Sequence, residues 1–311
     1  MNPHGGWRRA DVEDGAMDVG RRVVLAAALG GLSAGCSDAG KSAAPTTSSP
    51  PAPAAARPAP AEPNPTHPSG PSTAAGPTRE EIVARYGRQA PTSWGLEVPG
   101  SLSRLSTTRK VAALTFDACG GKGGGEYDRA LIDFLRERSV PATLFVNSRW
   151  VDANSATLRQ LAADPLFEIA NHGTGHLPLS VSGRAAYGIA GTKDAGEVYD
   201  EIFGNRAKLT ELLGHPPRFF RSGTAYCDDV AAKIVTDLGE RFASFHVNAD
   251  GGATFNPEQV RKAMRDVRPG SVVIGHMNHP RGGTAAGIRL AVPELLQQGY
   301  TFVRLSDAPK S

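Results

Sequence analysis

Short apolar runs alternate with amphipathic stretches from about residue 110 to the C-terminus, and this alternation limits the possible folds more than any other feature. Val111–Phe116, Ala142–Val146, Phe167–Ala170, Arg218–Phe220, Phe242–Val247, Val272–Gly275 and Thr301–Arg304 are rich in Val, Ile and Phe and have the length of buried strands. Between them Asp128–Arg138, Ala156–Ala163, Glu197–Leu213, Asp229–Leu238, Pro257–Arg268 and Thr284–Gln298 carry helical periodicity. Asn256-Pro257 reads as a helix start, and Gly214 and Gly299 as helix stops. Strands that alternate with helices pair in parallel. The expectation is an α/β fold, a distorted (β/α) barrel of about seven parallel strands. Gly120–Gly125 is glycine-rich but has neither the dinucleotide spacing nor the phosphate-loop ending, which disfavours an open doubly wound sheet.

The strand ends are chemically specific. The runs lead into Asp117, His172, Arg221, Asp250 and His276, so five different strands end in an ionisable residue. In a parallel barrel those C-terminal ends converge on one face, where active sites are assembled from several loops. Surface decoration would scatter the charges over helices instead. His172 and His176 stand four apart, a spacing that lets two imidazoles face one divalent ion.

These residues resemble the motifs of the polysaccharide deacetylases, carbohydrate esterase family 4, in the family's order over residues 110–305. Thr115-Phe116-Asp117 is similar to the first motif, Thr-Phe-Asp-Asp. Asn171-His172-Gly173-Thr174-Gly175-His176 resembles the second, Arg218-Phe219-Phe220-Arg221 the third, Asp250 the fourth and Gly275-His276 the fifth. The resemblance implies a hydrolase acting on carbon–nitrogen bonds that removes N-acetyl or O-acetyl groups from a cell-wall or extracellular glycan. It implies Asp117 as general base, His276 as general acid tuned by Asp250, and Arg221 orienting the base. A backbone N–H at Thr224 would stabilise the oxyanion. His172, His176 and Asp117 would hold a divalent metal, with Zn²⁺ expected ahead of Co²⁺, Ni²⁺ or Mn²⁺.

The sequence departs from that pattern in two places. Ala118 stands where the family has its second Asp, a metal ligand, and Ser222-Gly223-Thr224-Ala225-Tyr226 replaces the usual Pro-Pro-Tyr. Asp117 ligating directly, Asp228 or Asp229 reaching the metal, or a water could compensate, although Asp228-Asp229 also suits a helix N-cap. Cys119 and Cys227 each come just after a motif, and in an exported protein they are expected to form a disulfide. A thiolate of Cys119 replacing the missing ligand is the rival expectation, and two buried thiols a third. His246 reads as a core or rim residue and His215 as a turn residue; His279 lines the pocket or simply sits in a loop, Trp94 and Trp150 read as packed aromatics with sugar stacking as the rival, and the loop 177–192 is a candidate substrate lid.

The first quarter of the chain reads differently. Arg21-Arg22, the apolar run Val23–Leu32 and Ser33-Ala34-Gly35 describe an export signal, whether translation starts at Met1 or Met17. Cys36 after Ala-Gly resembles a lipidated lipoprotein cysteine, despite Ser33 in the place of the usual Leu. Eleven of the 24 prolines fall within Pro45–Pro77, so residues 37–80 read as a disordered Ala/Pro/Ser/Thr-rich spacer. The expected organisation is signal 1–36, linker 37–80 and catalytic domain 81–311. The expected product is a monomer, lipid-anchored in the membrane or secreted to the cell envelope. With 34 Lys+Arg against 31 Asp+Glu, the net charge of +3 disfavours a nucleic-acid partner and suits a neutral glycan. Two other functions fit the same residues: a non-catalytic carbohydrate-binding protein, made plausible by Ala118, and a hydrolase of a non-sugar amide.

Overall fold

The computed structural model of the chain describes residues 76–309, all within a compact unit spanning Pro68–Ser311. The export-type segment, Cys36 and nearly all of the spacer lie outside the described residues. In chain order the elements are α1 (Arg79–Tyr86), β1 (Trp94–Gly95), β2 (Val111–Ala118), α2 (Arg129–Glu137), β3 (Ala142–Val146), α3 (Ser148–Ala153), α4 (Ser155–Ala162) and β4 (Phe167–Asn171). Next come α5 (Ala195–Leu213), β5 (Phe219–Phe220), β6 (Cys227–Asp228), α6 (Asp229–Asp237), β7 (Arg241–Phe242) and β8 (Val247–Asn248). The last are α7 (Pro257–Met264), β9 (Val272–His276), α8 (Thr284–Gln297) and β10 (Thr301–Phe302).

Seven strands pair in the order β7-β5-β4-β3-β2-β9-β8, every pair parallel, and β10 adds to the start of β2. The result is the expected α/β architecture as a half-barrel. β2 and β3 are buried on both faces, so their sequences read as unbroken apolar runs rather than as alternation. Local chemistry sets the helix starts. Asp128 caps α2 by accepting the Leu131 N–H, Asp194 caps α5, and Asn256 with Gln259 forms a capping box behind Pro257 on α7. Gly214 ends α5 at φ +77°, a left-handed position that favours glycine.

Three elements depart from the sequence expectation. The run Phe242–Val247 is not one strand but two, β7 and β8, at opposite edges of the sheet. Residues 243–246 cross between those edges: the Ala243 N–H donates to Phe220 O and the His246 N–H to Val272 O. Leu102 bridges Ala243 and Arg104 bridges Ser271, so residues 102–104 span the same gap. The helix α1 begins at Arg79, two residues inside the stretch assigned to the spacer, because Thr78 and Glu81 form a capping box there. Finally, α7 stops at Met264 instead of Arg268.

The period-two alternation along β2 divides the core and positions the site. Ala112, Leu114, Phe116 and Ala118 face outward into the cluster under α2, α7 and α8, with Leu131, Ile288 and Val292. Val111 and Ala113 face inward to pack with Phe145, Ala170, Phe219 and Val272 at the closed end of the half-barrel. A third cluster joins α1, α5 and α6 through Ile82, Val198, Ile202, Val230 and Ile234. Above the inward apolar layer, the C-terminal ends of the strands carry polar side chains.

Candidate active site

Asp117 stands on the inward face of β2, in register with His276 on the neighbouring β9. Its carboxylate is buried and paired with the buried Arg221, whose Nη1 donates to Asp117 Oδ1 at 2.6 Å. The guanidinium is held from several sides: Nε donates to Ala243 O (3.3 Å), Nη2 to Ser244 O (3.0 Å), and Cζ lies 4.1 Å from the Phe145 ring centre. A buried, fully bonded Arg of this kind fixes a carboxylate in position. The second carboxylate oxygen, Oδ2, lies 3.5 Å from His172 Nε2.

His172 comes directly after β4 and is buried, with Nδ1 bonded to the Arg221 carbonyl at 3.0 Å. That bond places the Nδ1 proton and directs Nε2 inward. Burial resists charging of this imidazole, but Asp117 and Cys119 outweigh it and raise its pKa above the ordinary value. His176 sits at φ +63°, its ring edge-on to that of His172 with centres 4.8 Å apart. Its Nε2 is buried and has no hydrogen-bond partner. The His176 turn is clamped from two sides. Glu201 on α5 accepts the Gly175 N–H (2.7 Å) and the Leu177 N–H (3.1 Å). Gly223 approaches so closely that a Cβ there would lie 2.3 Å from the His176 carbonyl. Burial raises the Glu201 pKa, against the backbone N–H groups that it accepts.

Cys119 completes this group. One residue beyond β2, it continues the inward alternation from Asp117 while Ala118 packs into the outer core. Its Sγ lies 3.8 Å from His172 Nε2, and the ligand atoms of Cys119, His172 and His176 all lie within 4.8 Å of one another. Burial opposes ionisation of this thiol, yet the neighbouring imidazoles, His172 foremost, hold its pKa well below the usual range. A depressed thiol, an imidazole pinned through Nδ1 and an orphaned buried imidazole nitrogen are a donor set that fits Zn²⁺ or Co²⁺. The residues present therefore fit a divalent metal.

On the other side of Asp117, His276 Nδ1 lies 3.0 Å from Asp250 Oδ1. Asp250 is buried; its Oδ2 accepts the His276 backbone N–H (2.7 Å) and the Thr284 hydroxyl (2.8 Å). Burial works against charge on His276, but the bond and the charge of Asp250 raise its pKa well above the ordinary value. Asp250 is correspondingly lowered, burial notwithstanding, chiefly by its bond to His276. Asp117, His276 and Thr224 line one cleft of ≈ 350 Å³, walled by Tyr187, Ile189 and Phe245.

The structure thus brings together Asp117, Cys119, His172, His176, Arg221, Thr224, Asp250 and His276. It overturns the expected disulfide and decides two open alternatives. Cys119 and Cys227 are separate thiols, not a disulfide. Cys119 points into the histidine cluster, whereas Cys227 is buried in the α1–α5–α6 core with its Sγ donating to Asp228 O. Asp228 and Asp229 do not reach the site: Asp228 caps α6 and accepts the Val181 N–H, and Asp229 accepts the N–H groups of Thr92 and Ser93. Trp150 is fully buried on α3, its Nε1 donating to Glu126 O, and cannot stack on a sugar. His246, half-buried, bonds Ser271 through Nδ1 (2.9 Å). Glu201 is missing from the sequence expectation, and Tyr187 falls within the loop 177–192 without being singled out; no motif marks either one.

Comparison with known proteins agrees with this geometry. Residues 104–243 match the family model for polysaccharide deacetylases. A peptidoglycan-N-acetylglucosamine deacetylase of Bacillus cereus is 25% identical over 207 residues, 65% of this chain and 90% of the relative. Among solved structures, a family 4 carbohydrate esterase pseudoenzyme of Bacillus anthracis superposes with a TM-score of 0.58 at 21% identity, covering 68% of this chain and 69% of that one. A family 4 acetyl xylan esterase of Clostridium thermocellum, solved with a cobalt ion, matches with a TM-score of 0.51 at 25% identity over 64% of this chain and 89% of that one.

Proposed function

We propose that the protein is a metal-dependent hydrolase that removes acetyl groups from the amino sugars of a cell-wall glycan. The observation that carries this reading is the pairing of two proton-transfer groups in one cleft. Asp117, held by Arg221, is in register with His276, held by Asp250. Hydrolysis of an amide needs both, a base for the attacking water and an acid for the departing nitrogen.

Cys119, His172 and His176 would hold the metal, which supplies electrophilic polarisation of the acetyl carbonyl and acidifies a water. Asp117, through the oxygen not engaged by Arg221, takes the proton from the attacking water. Arg221 keeps that carboxylate aimed, because its other donors are committed to Ala243 O and Ser244 O. His276 passes its proton to the amine nitrogen as the carbon–nitrogen bond breaks. Asp250 fixes the ring through Nδ1, leaving Nε2 as the atom that donates, and keeps the imidazole charged until transfer. The backbone N–H at Thr224, on the same cleft, contributes to the oxyanion site.

Placement at the cell envelope is part of the same proposal. Arg21-Arg22, the apolar run after them and Cys36 support export with a lipid anchor, the proline-rich stretch serving as tether. Acetate release from N-acetylglucosamine oligomers tests the reaction. The wild type releases acetate, and Asp117→Asn and His276→Ala each reduce the rate at least about a hundredfold. Oligomer binding by a wild type that releases no acetate would instead support the non-catalytic carbohydrate-binding function.

A further inference from the structure

The loop between β4 and α5 holds a tyrosine in a backbone conformation that disfavours it. Tyr187 lies at φ +54° and Gly188 at φ +75°. The Ala186 N–H donates to Ile189 O (3.0 Å) and the Ile189 N–H to Ala186 O (2.9 Å). Those two bonds close a two-residue hairpin turn with both central residues left-handed, a type I′ turn. Its first central position selects Asn, Asp or Gly, and a bulky side chain there is an outlier.

Burial does not offset the strain, because Tyr187 is 73% exposed, the most exposed of the large apolar side chains among the described residues. The ring is nevertheless oriented. Its edge meets Tyr226 at 5.3 Å and 90°; Tyr226 leans on Trp94 at 5.7 Å, and Arg184 covers Trp94 at 5.2 Å. This chain of aromatic contacts steadies one side of Tyr187 and leaves a face free. Tyr187, with Ile189 and Phe245, forms the wall of the cleft that also contains Asp117 and His276. Strain retained without burial marks a residue that serves a ligand.

We infer that the strained turn presents Tyr187 as a stacking face for a pyranose ring of the substrate, so that the cleft selects a sugar chain over a small acetylated molecule. The inference rests on the glycan-hydrolase function proposed above. Aromatic rings offer the apolar face of a sugar a large, rigid partner at low entropic cost.

Tyr187→Asn separates stacking from fold, because Asn suits the left-handed position better than Tyr. The thermal midpoint of Y187N stays level or rises, while KM for an N-acetylglucosamine tetramer rises about three- to tenfold, the loss of one aromatic contact. The change falls on KM rather than kcat, since stacking holds the sugar equally in the ground state and the transition state. Tyr187→Phe, which keeps the stacking face, restores KM. A lowered midpoint with unchanged KM would show a packing residue and overturn the inference. Should the wild type release no acetate, the reaction assigned above fails on its own, and calorimetric binding of the same tetramer still decides the stacking. Binding by wild type that Y187N weakens supports it; equal binding by both, or by neither, overturns it.

Discussion

Cys119 Sγ lies 3.8 Å from His172 Nε2, two residues along the chain from the Asp117 carboxylate that meets the same nitrogen at 3.5 Å. The alternation of β2 accounts for this pairing. Residue 118 is committed to the outer core, so a ligand at this corner of the site comes from the inward-facing positions 117 and 119. A metal held by Cys119, His172 and His176 would therefore leave Asp117 free for proton transfer.

The histidine turn depends on a close backbone approach. Gly223→Ala would place a methyl 2.3 Å from the His176 carbonyl, against backbone that cannot yield cheaply. The expected outcome is a loss of about 1–3 kcal/mol of stability in urea unfolding, as for an overpacked core. Zinc affinity falls with it, because His176 must move. Unchanged stability and zinc binding would contradict the clamp.

Asp250 is expected to act through His276. Asp250→Asn removes the negative charge that raises the imidazole pKa. In the wild type His276 stays protonated well above the ordinary imidazole range, so activity persists to alkaline pH and falls as that raised pKa is passed. In the variant the alkaline limb moves to lower pH, and kcat drops about a hundredfold. A pH–rate profile measures both; an unmoved limb would show that His276 is not the acid.

Glu240 links stability to pH away from the cleft. Its Oε1 accepts Asn171 Nδ2 at 3.1 Å, Oε2 has no partner, and burial raises its pKa well above the carboxylate range despite Asn171 and Arg206. A raised carboxylate binds its proton more tightly folded than unfolded. Stability is therefore greatest below the ordinary carboxylate pKa and is lost as pH rises through the window between that value and the folded one. Glu240→Gln removes the loss and flattens the curve. Urea midpoints from about pH 4 to pH 8 test this; equal slopes for variant and wild type would contradict it.

Much of the fold is legible in the sequence because its strands are buried. Ala142–Val146 is one apolar run and forms β3 with the same bounds. Phe242–Val247 misleads for the converse reason: its apolar content is right for a strand, but its pairing is decided by Phe220 on one edge and Val273 on the other. Nothing local encodes that crossing. The five strand-terminal ionisable residues converge as their positions imply, since parallel strands place their C-terminal ends together. The role of Cys119 stays open in the sequence because sequence order does not say which face a residue just past a strand will take. Glu201 and the pose of Tyr187 were illegible for different reasons. Glu201 looks like any charge on a helix, and Tyr-Gly does not announce a left-handed turn.

The cobalt-substituted protein tests the central claim, that a cysteine sulfur joins two histidines at the metal centre, most directly. Wild-type protein loaded with one equivalent of Co²⁺ is predicted to show an intense near-ultraviolet sulfur-to-cobalt charge-transfer band. Cys119→Ser should abolish that band and keep the weaker visible transitions of histidine-bound cobalt. A wild-type spectrum without the band, or one that Cys119→Ser leaves intact, would contradict the account.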